Sequence, residues 1–184
     1  MKRIYLDNIS RIIPNKEFLE KKLNVKISNR GKEIFIQGNG IDEFIAEKVL
    51  EALSFGFPMK VALLIREEDD YEFEVLNIKD FTKRKDLQRI RARIIGTGGK
   101  TLKTLCQLTK CFFELKDNSI GIVGDVDYIK NAQKGVTYII QGTKQANVYS
   151  FLEKHQPEEI GDFGLKIKKR KKTKKGKSLT KTFK

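Results

Sequence analysis

The chain has 184 residues, 39% of them hydrophobic, and carries 38 Lys and Arg against 24 Asp and Glu, a net charge of +14. That is apolar material enough for one medium domain or two small ones, which excludes a disordered chain, and no apolar run approaches the roughly 18 residues of a membrane span. The one histidine, His155, excludes a His-based triad or a multi-His metal site, while Cys106 and Cys111 lack Cys-x-x-Cys spacing and predict reduced core thiols.

In chain order, residues 3–7 are a predicted strand, 8–14 a short helical turn and 16–23 a helix. Residues 24–28 and 32–38 are strands joined by a turn at 29–31. Residues 41–56 follow as a helix that puts Ile41, Phe44, Ile45, Val49 and Leu53 on one face. Residues 58–70 link the halves through a short helix and an acidic loop. Then the order repeats. Residues 70–81 alternate as a strand carrying Phe73, Val75 and Ile78, and 83–95 form an amphipathic helix carrying Leu87, Ile90 and Ile94. A glycine cluster comes next, then a helix over 100–110 and a hairpin of strands 111–116 and 119–124. Asp125 is a predicted N-cap for a helix carrying Val126, Ile129, Ala132, Val136, Ile139 and Ile140, which stops near Gly142. A last helix spans 146–154. This recurrence predicts an internal duplication, with units at 1–57 and 71–154, a linker at 58–70 and a lysine-rich, flexible stretch at 155–184.

The charge is uneven. Residues 82–116 hold 10 Lys and Arg against 2 acids, and 166–184 hold 11 against none, whereas residues 1–81 hold 13 against 15. A positive excess concentrated around one Gly-rich loop points to a polyanionic partner.

The loop is Gly96-Thr97-Gly98-Gly99. Gly99-Lys100-Thr101 matches the end of a nucleotide P-loop, but the first glycine of that motif falls on Ile94, and the loop follows a helix where a P-loop follows a strand. A helix ending in Ile-Ile, then Gly-x-x-Gly, then a basic residue opening a second helix is instead the signature of a KH domain. Glycines let the backbone approach a sugar-phosphate chain, and amides at the following helix start face phosphate oxygens. The predicted RNA-binding set is therefore Arg91, Arg93, Ile95, Gly96, Thr97, Gly98, Gly99, Lys100, Leu102 and Lys103. One of Phe112 and Phe113 faces outward, toward a base or toward packing. The fold class is α+β: two tandem type I KH domains, each a three-stranded antiparallel sheet packed on three helices, followed by a disordered basic tail. In the first domain Pro14-Asn15-Lys16-Glu17 stands where Gly-x-x-Gly should be, so that domain is degenerate.

Residues 89–154, with "YEFEVLNIKDF" before them and "IGIVGD" and "VYSFLEK" within, resemble a family of two-KH-domain small-subunit ribosome-assembly factors of archaea and eukaryotes. The resemblance covers residues 1–154. A sister assembly-factor family shares a stretch like "GGKTLKTLCQLTKC". The resemblance implies a non-catalytic RNA-binding protein, without cofactor or metal, whose second domain holds precursor small-subunit rRNA near its 3′ end. It further implies two partners, the endonuclease that matures that end and the pre-small-subunit particle. The absence of a long acidic N-terminal extension points to an archaeal-type member; the lysine-rich tail departs from that type. A general mRNA-binding KH protein and a protein-binding scaffold stay open as alternatives. The tail residues Lys168, Lys169, Arg170, Lys171, Lys172, Lys174 and Lys175 are expected to be a nuclear-import signal or an electrostatic arm along RNA. No signal peptide opens the sequence, so the expected location is cytoplasmic, with nuclear and nucleolar stages in a eukaryotic source, and no membrane partner is expected.

Overall fold

The computed structural model describes residues 1–155; the basic stretch Lys168–Lys175 lies outside them. The first half runs β1 (Lys2–Tyr5), α1 (Lys16–Leu23), β2 (Lys26–Arg30), β3 (Glu33–Gln37) and α2 (Gly40–Phe55). Two short helices, α3 (Met59–Ala62) and α4 (Leu64–Glu67), lead into the second half. That half runs β4 (Tyr71–Asn77), α5 (Leu87–Ile95), α6 (Lys100–Thr109), β5 (Phe112–Lys116), β6 (Ser119–Asp125), α7 (Val126–Gln141) and α8 (Gln145–Lys154). The sheets have orders β1-β3-β2 and β4-β6-β5, with every pairing antiparallel. In both, the last strand in sequence lies between the other two, so the duplication read from the sequence is also a duplication of topology. Tight hairpins make this possible: Gly31 at φ +61° turns β2 into β3, and Asp117 at φ +51° turns β5 into β6.

Local chemistry moves several expected boundaries. Helix α5 begins at Leu87 and not at Lys83, because the Asp86 carboxylate accepts a hydrogen bond from the Arg89 N–H at 3.1 Å and caps it there. Lys83, Arg84 and Lys85 are thus left in a loop. Asp125 caps α7 as expected, accepting from the Asp127 N–H at 2.9 Å, and Gly142 at φ +106° ends that helix. In the first half the short helical turn expected at 8–14 is a turn that runs into a 3-10 segment, Ile13–Asn15.

The buried face of α2 differs from the periodicity reading. Ile41 and Phe44 are exposed, and Ala46, Val49, Leu50 and Leu53 are buried. Asp42, 8% exposed, faces the core side at its start, held by Arg66 at 2.9 Å and by the Asn24 amide at 3.1 Å. The ammonium groups of Lys2 and Lys48 lie over the Phe44 ring, 5.4 and 6.0 Å from its centre.

The halves are welded together. The stretch 58–70 packs through Ala62, Leu63 and Ile65, which are buried, while its acidic end, 67–70, is exposed. Phe73 of β4 and Val123 of β6 join the core of the first half, while Ile78 belongs to the second. Val75, grouped with Phe73 by alternation, is 47% exposed. Phe55, Phe57 and Phe73 form a three-ring cluster with centroids 5.8–6.1 Å apart. Gly121 of β6 makes room for it, since a Cβ there would lie 2.8 Å from both Phe55 and Phe57 ring carbons. The first domain therefore covers the face of the second sheet that its own helices leave bare. The other face, with Phe113, Ile120 and Ile122, packs on α5, α6 and α7 and aims the glycine loop outward.

Candidate nucleic-acid interface

The loop sits between the C-terminus of α5 and the N-terminus of α6. Its three glycines all have positive φ: +73° at Gly96, +59° at Gly98 and +76° at Gly99. They serve two ends. A Cβ at Gly96 would lie 2.1 Å from the Thr101 hydroxyl, so this glycine permits close helix packing. At Gly98 and Gly99 a Cβ would meet nothing within 4 Å, so these two present bare backbone to solvent. No side chain caps the N-terminus of α6; the Gly99 and Lys100 amides donate within the loop, to the Gly96 and Thr97 carbonyls, and the positive helix end beyond them favours an anion. Thr97, Lys100 and Lys103 are exposed around that point.

The loop is braced from behind. Thr101, 4% exposed, accepts at its hydroxyl from the Gln145 amide at 2.9 Å. The same amide reaches the Arg93 carbonyl at 3.2 Å, so α8 ties the end of α5 to the start of α6. Sequence reasoning missed Gln145 and Thr101, because the pairing crosses 44 residues and follows no periodicity.

A cleft of about 330 Å³ beside the loop is lined by Gln88, Arg91, Ala92 and Ile95 of α5 with Leu115 and Asp117 of the hairpin. Ile95 is 40% exposed at its floor, and the Arg91 guanidinium is steadied by donating to the Asp117 carbonyl at 3.0 Å. Leu102 is half-buried, packed against the core beneath. The structure thus gathers Arg91, Ile95, Gly96, Thr97, Gly98, Gly99, Lys100 and Lys103 along one open edge. It does not bring Arg93 there. The Arg93 side chain lies on the other flank of α5 and donates to the Thr143 carbonyl just past α7. The first domain explains this: Arg11, also directly before an Ile-Ile pair, donates to the Gly56 and Phe57 carbonyls past α2. In each repeat this arginine clamps the end of the last long helix of the repeat. Phe112 lies with Glu114 on the sheet face toward the first domain, away from the cleft, while Phe113 is buried.

The electrostatics of the two domains differ. In the first, where acids outnumber cations, ion pairs hold several of the cations, among them Arg66 with Asp42, Lys22 with Glu67 and Lys2 with Glu47. Among the described residues Arg84, Arg89, Arg91, Arg93, Lys100 and Lys103 form no ion pair. Where the second domain has its glycines, the first has Pro14, which lacks an N–H, and Glu17 in the first turn of α1, which occupies the positive helix end.

Residues 72–157 match the family described as eukaryotic type KH-domain, KH-domain type I. The KH domain-containing protein MJ0443 of Methanocaldococcus jannaschii is 27% identical over 148 residues, 77% of this chain and 65% of that protein. The RNA-binding protein pno1 of Dictyostelium discoideum is 28% identical over 134 residues, 72% of this chain and 54% of that protein. The chain thus spans about half to two thirds of the length of these relatives. Among solved structures, Dim2p from Pyrococcus horikoshii has a TM-score of 0.77 at 22% identity, covering 83% of this chain and 98% of that one. The complex of a/eIF2alpha, aDim2p and rRNA from the same organism gives 0.76 at 22% identity, covering 83% and 92%. At these identities the likeness is one of fold, and the fold is two KH domains in tandem.

Proposed function

We propose that this chain, a tandem KH protein related to the RNA-binding proteins called pno1, is a non-catalytic RNA-binding factor of small-subunit ribosome assembly. Its second domain binds precursor small-subunit rRNA near the 3′ end and helps the maturation endonuclease find its site there. The observation that carries this reading is the contrast between two copies of one fold. The second copy keeps bare glycine backbone at the start of its helix, with cations along one edge; the first has Pro14 in place of the glycines and Glu17 in the first turn of the helix. A single strand laid along α6 would set its phosphates against the bare Gly98–Gly99 backbone at the start of that helix, with Arg91, Lys100 and Lys103 neutralising charge. Its bases would rest on Ile95 and Leu115 in the cleft. The relatives' name as RNA-binding proteins and the rRNA held in the Pyrococcus complex support the choice of ligand. The working compartment is the cytoplasm, where late small-subunit assembly would place it.

Crosslinking of RNA to the chain in its own cells, followed by sequencing, tests this. Reads should pile up at the 3′ end of precursor small-subunit rRNA, with the crosslinked peptide spanning Gly96–Gly99. Reads spread over messenger RNAs would replace this reading with that of a general single-strand binder.

A further inference from the structure

Helix α5 has two working flanks. Residues 88, 91, 92 and 95, at three- and four-residue spacing, face the cleft described above. Arg89 and Arg93, four apart, face the opposite side, and Arg84 joins them from the loop that Asp86 cuts off from the helix. With Asp86, Ile90 and Ile140 they line a second cleft of about 340 Å³. Two guanidiniums converge beside Gly142: a Cβ there would lie 3.4 Å from Arg84 Nη2 and 3.6 Å from Arg93 Nη1.

The fold accounts for Arg93, as the clamp on Thr143. It does not account for Arg84 or Arg89. Both are exposed, and among the described residues neither has an ion pair. The one carboxylate on the cleft, Asp86, is engaged as the α5 cap. With Ile12-Ile13 set on Ile94-Ile95, Asp7 occupies the position of Arg89 in the first domain, so the duplicated architecture does not require a cation there. Three guanidiniums share the cleft with one carboxylate; the excess like charges repel one another, and a bound anion relieves that.

We propose that this cleft is a second phosphate-binding site for RNA, on the side of α5 away from the glycine loop. The inference rests on the RNA reading above and deepens it: the strand held in the first cleft is gripped again by its flanking backbone. The two clefts are one helix apart, roughly 10–12 Å, which a few nucleotides of flanking strand span. Guanidinium forks match phosphate oxygens two at a time, which favours an RNA backbone over an acidic protein segment.

The test uses the full chain with Arg84→Ala and Arg89→Ala combined, leaving the Arg93 clamp intact. Binding of U6 and U20 oligonucleotides is measured across a salt series, beside the Thr97→Asp, Gly98→Asp double variant. The arginine variant should bind U6 within about twofold of wild type. It should bind U20 about tenfold more weakly, with a log–log salt slope shallower by about 1.4, at roughly 0.7 for each phosphate that goes unneutralised. Unchanged U20 affinity and slope would overturn the proposal, as would equal losses on U6 and U20. Loss of binding to polyglutamate with U20 binding intact would overturn it in favour of an acidic protein partner. If instead the loop variant binds like wild type while the arginine variant loses U20, the groove reading fails and this one stands.

Discussion

Replacing Thr97 and Gly98 together by Asp separates binding from folding. Gly98 sits at φ +59° and ψ +28°, a left-handed conformation that Asp tolerates better than most residues, and a Cβ there meets nothing within 4 Å. Thr97 is exposed. The cost to the fold is about 1–2 kcal/mol at Gly98, which lowers the melting temperature of a chain this size by about 2–4 °C per kcal/mol. The cost to binding is larger. A carboxylate about 7 Å from an RNA phosphate is repelled by about 0.6 kcal/mol in bulk water and about 2.4 kcal/mol at an effective dielectric of 20. Two carboxylates therefore give at least about 1.2 kcal/mol, close to a tenfold loss of affinity, before the poorer approach of backbone to phosphate is counted. Fluorescence anisotropy with single-stranded RNA, alongside circular dichroism and a melting curve, reads both quantities. Gly96→Ala is the contrasting control. Its Cβ would stand 2.1 Å from the buried Thr101 hydroxyl, so stability and binding should fall together. A double Asp variant that melts within a few degrees of wild type and binds RNA equally well would refute the loop mechanism.

Other outcomes follow from packing and charge. Gly124→Ala puts a Cβ 2.5 Å from the Cys111 sulfur and should cost about 1–3 kcal/mol by overpacking, a loss that Cys111→Ala in the same chain should partly restore in urea melts. Burial pushes the Cys111 thiol up to about 12 and raises that of Cys106. An unfolded thiol ionises from about pH 8.5, so stability linked to Cys111 is fully present below that pH and is lost as pH rises toward about 12; urea midpoints at pH 7 and pH 10 should converge in Cys111→Ala relative to wild type. Phe57→Ala, at 1% exposure in the three-ring cluster, should cost about 3–5 kcal/mol and unfold both domains in one transition, which a second, separately melting domain would contradict. Deleting residues 166–184 removes 11 cations and should flatten the salt dependence of RNA binding while preference for one RNA over a scrambled one survives.

The second domain was legible because its signals are local. Ile94-Ile95 followed by Gly96-Thr97-Gly98-Gly99 and Lys100 is a contiguous string whose backbone demands only glycine meets, and the structure puts it where that string requires, between α5 and α6. What the sequence concealed is set by contacts far apart along the chain. Helical spacing cannot tell which side of α2 meets the sheet. It grouped Ile41 and Phe44 with the core, yet the packing of Asp42 against Arg66 and Asn24 turns both outward. Alternation likewise paired Phe73 with Val75, but only Phe73 finds the aromatic cluster that joins the domains. Arg93 is the instructive case. Its place three residues before the loop, within a run of positive charge, makes it look like a phosphate ligand. Only the first copy of the fold, where Arg11 makes the same clamp beside a turn with no glycines, shows that the arginine serves the helix behind it. Charge density along a sequence therefore singled out the second domain, while the division of that charge between two flanks of α5 needed the helix to be built.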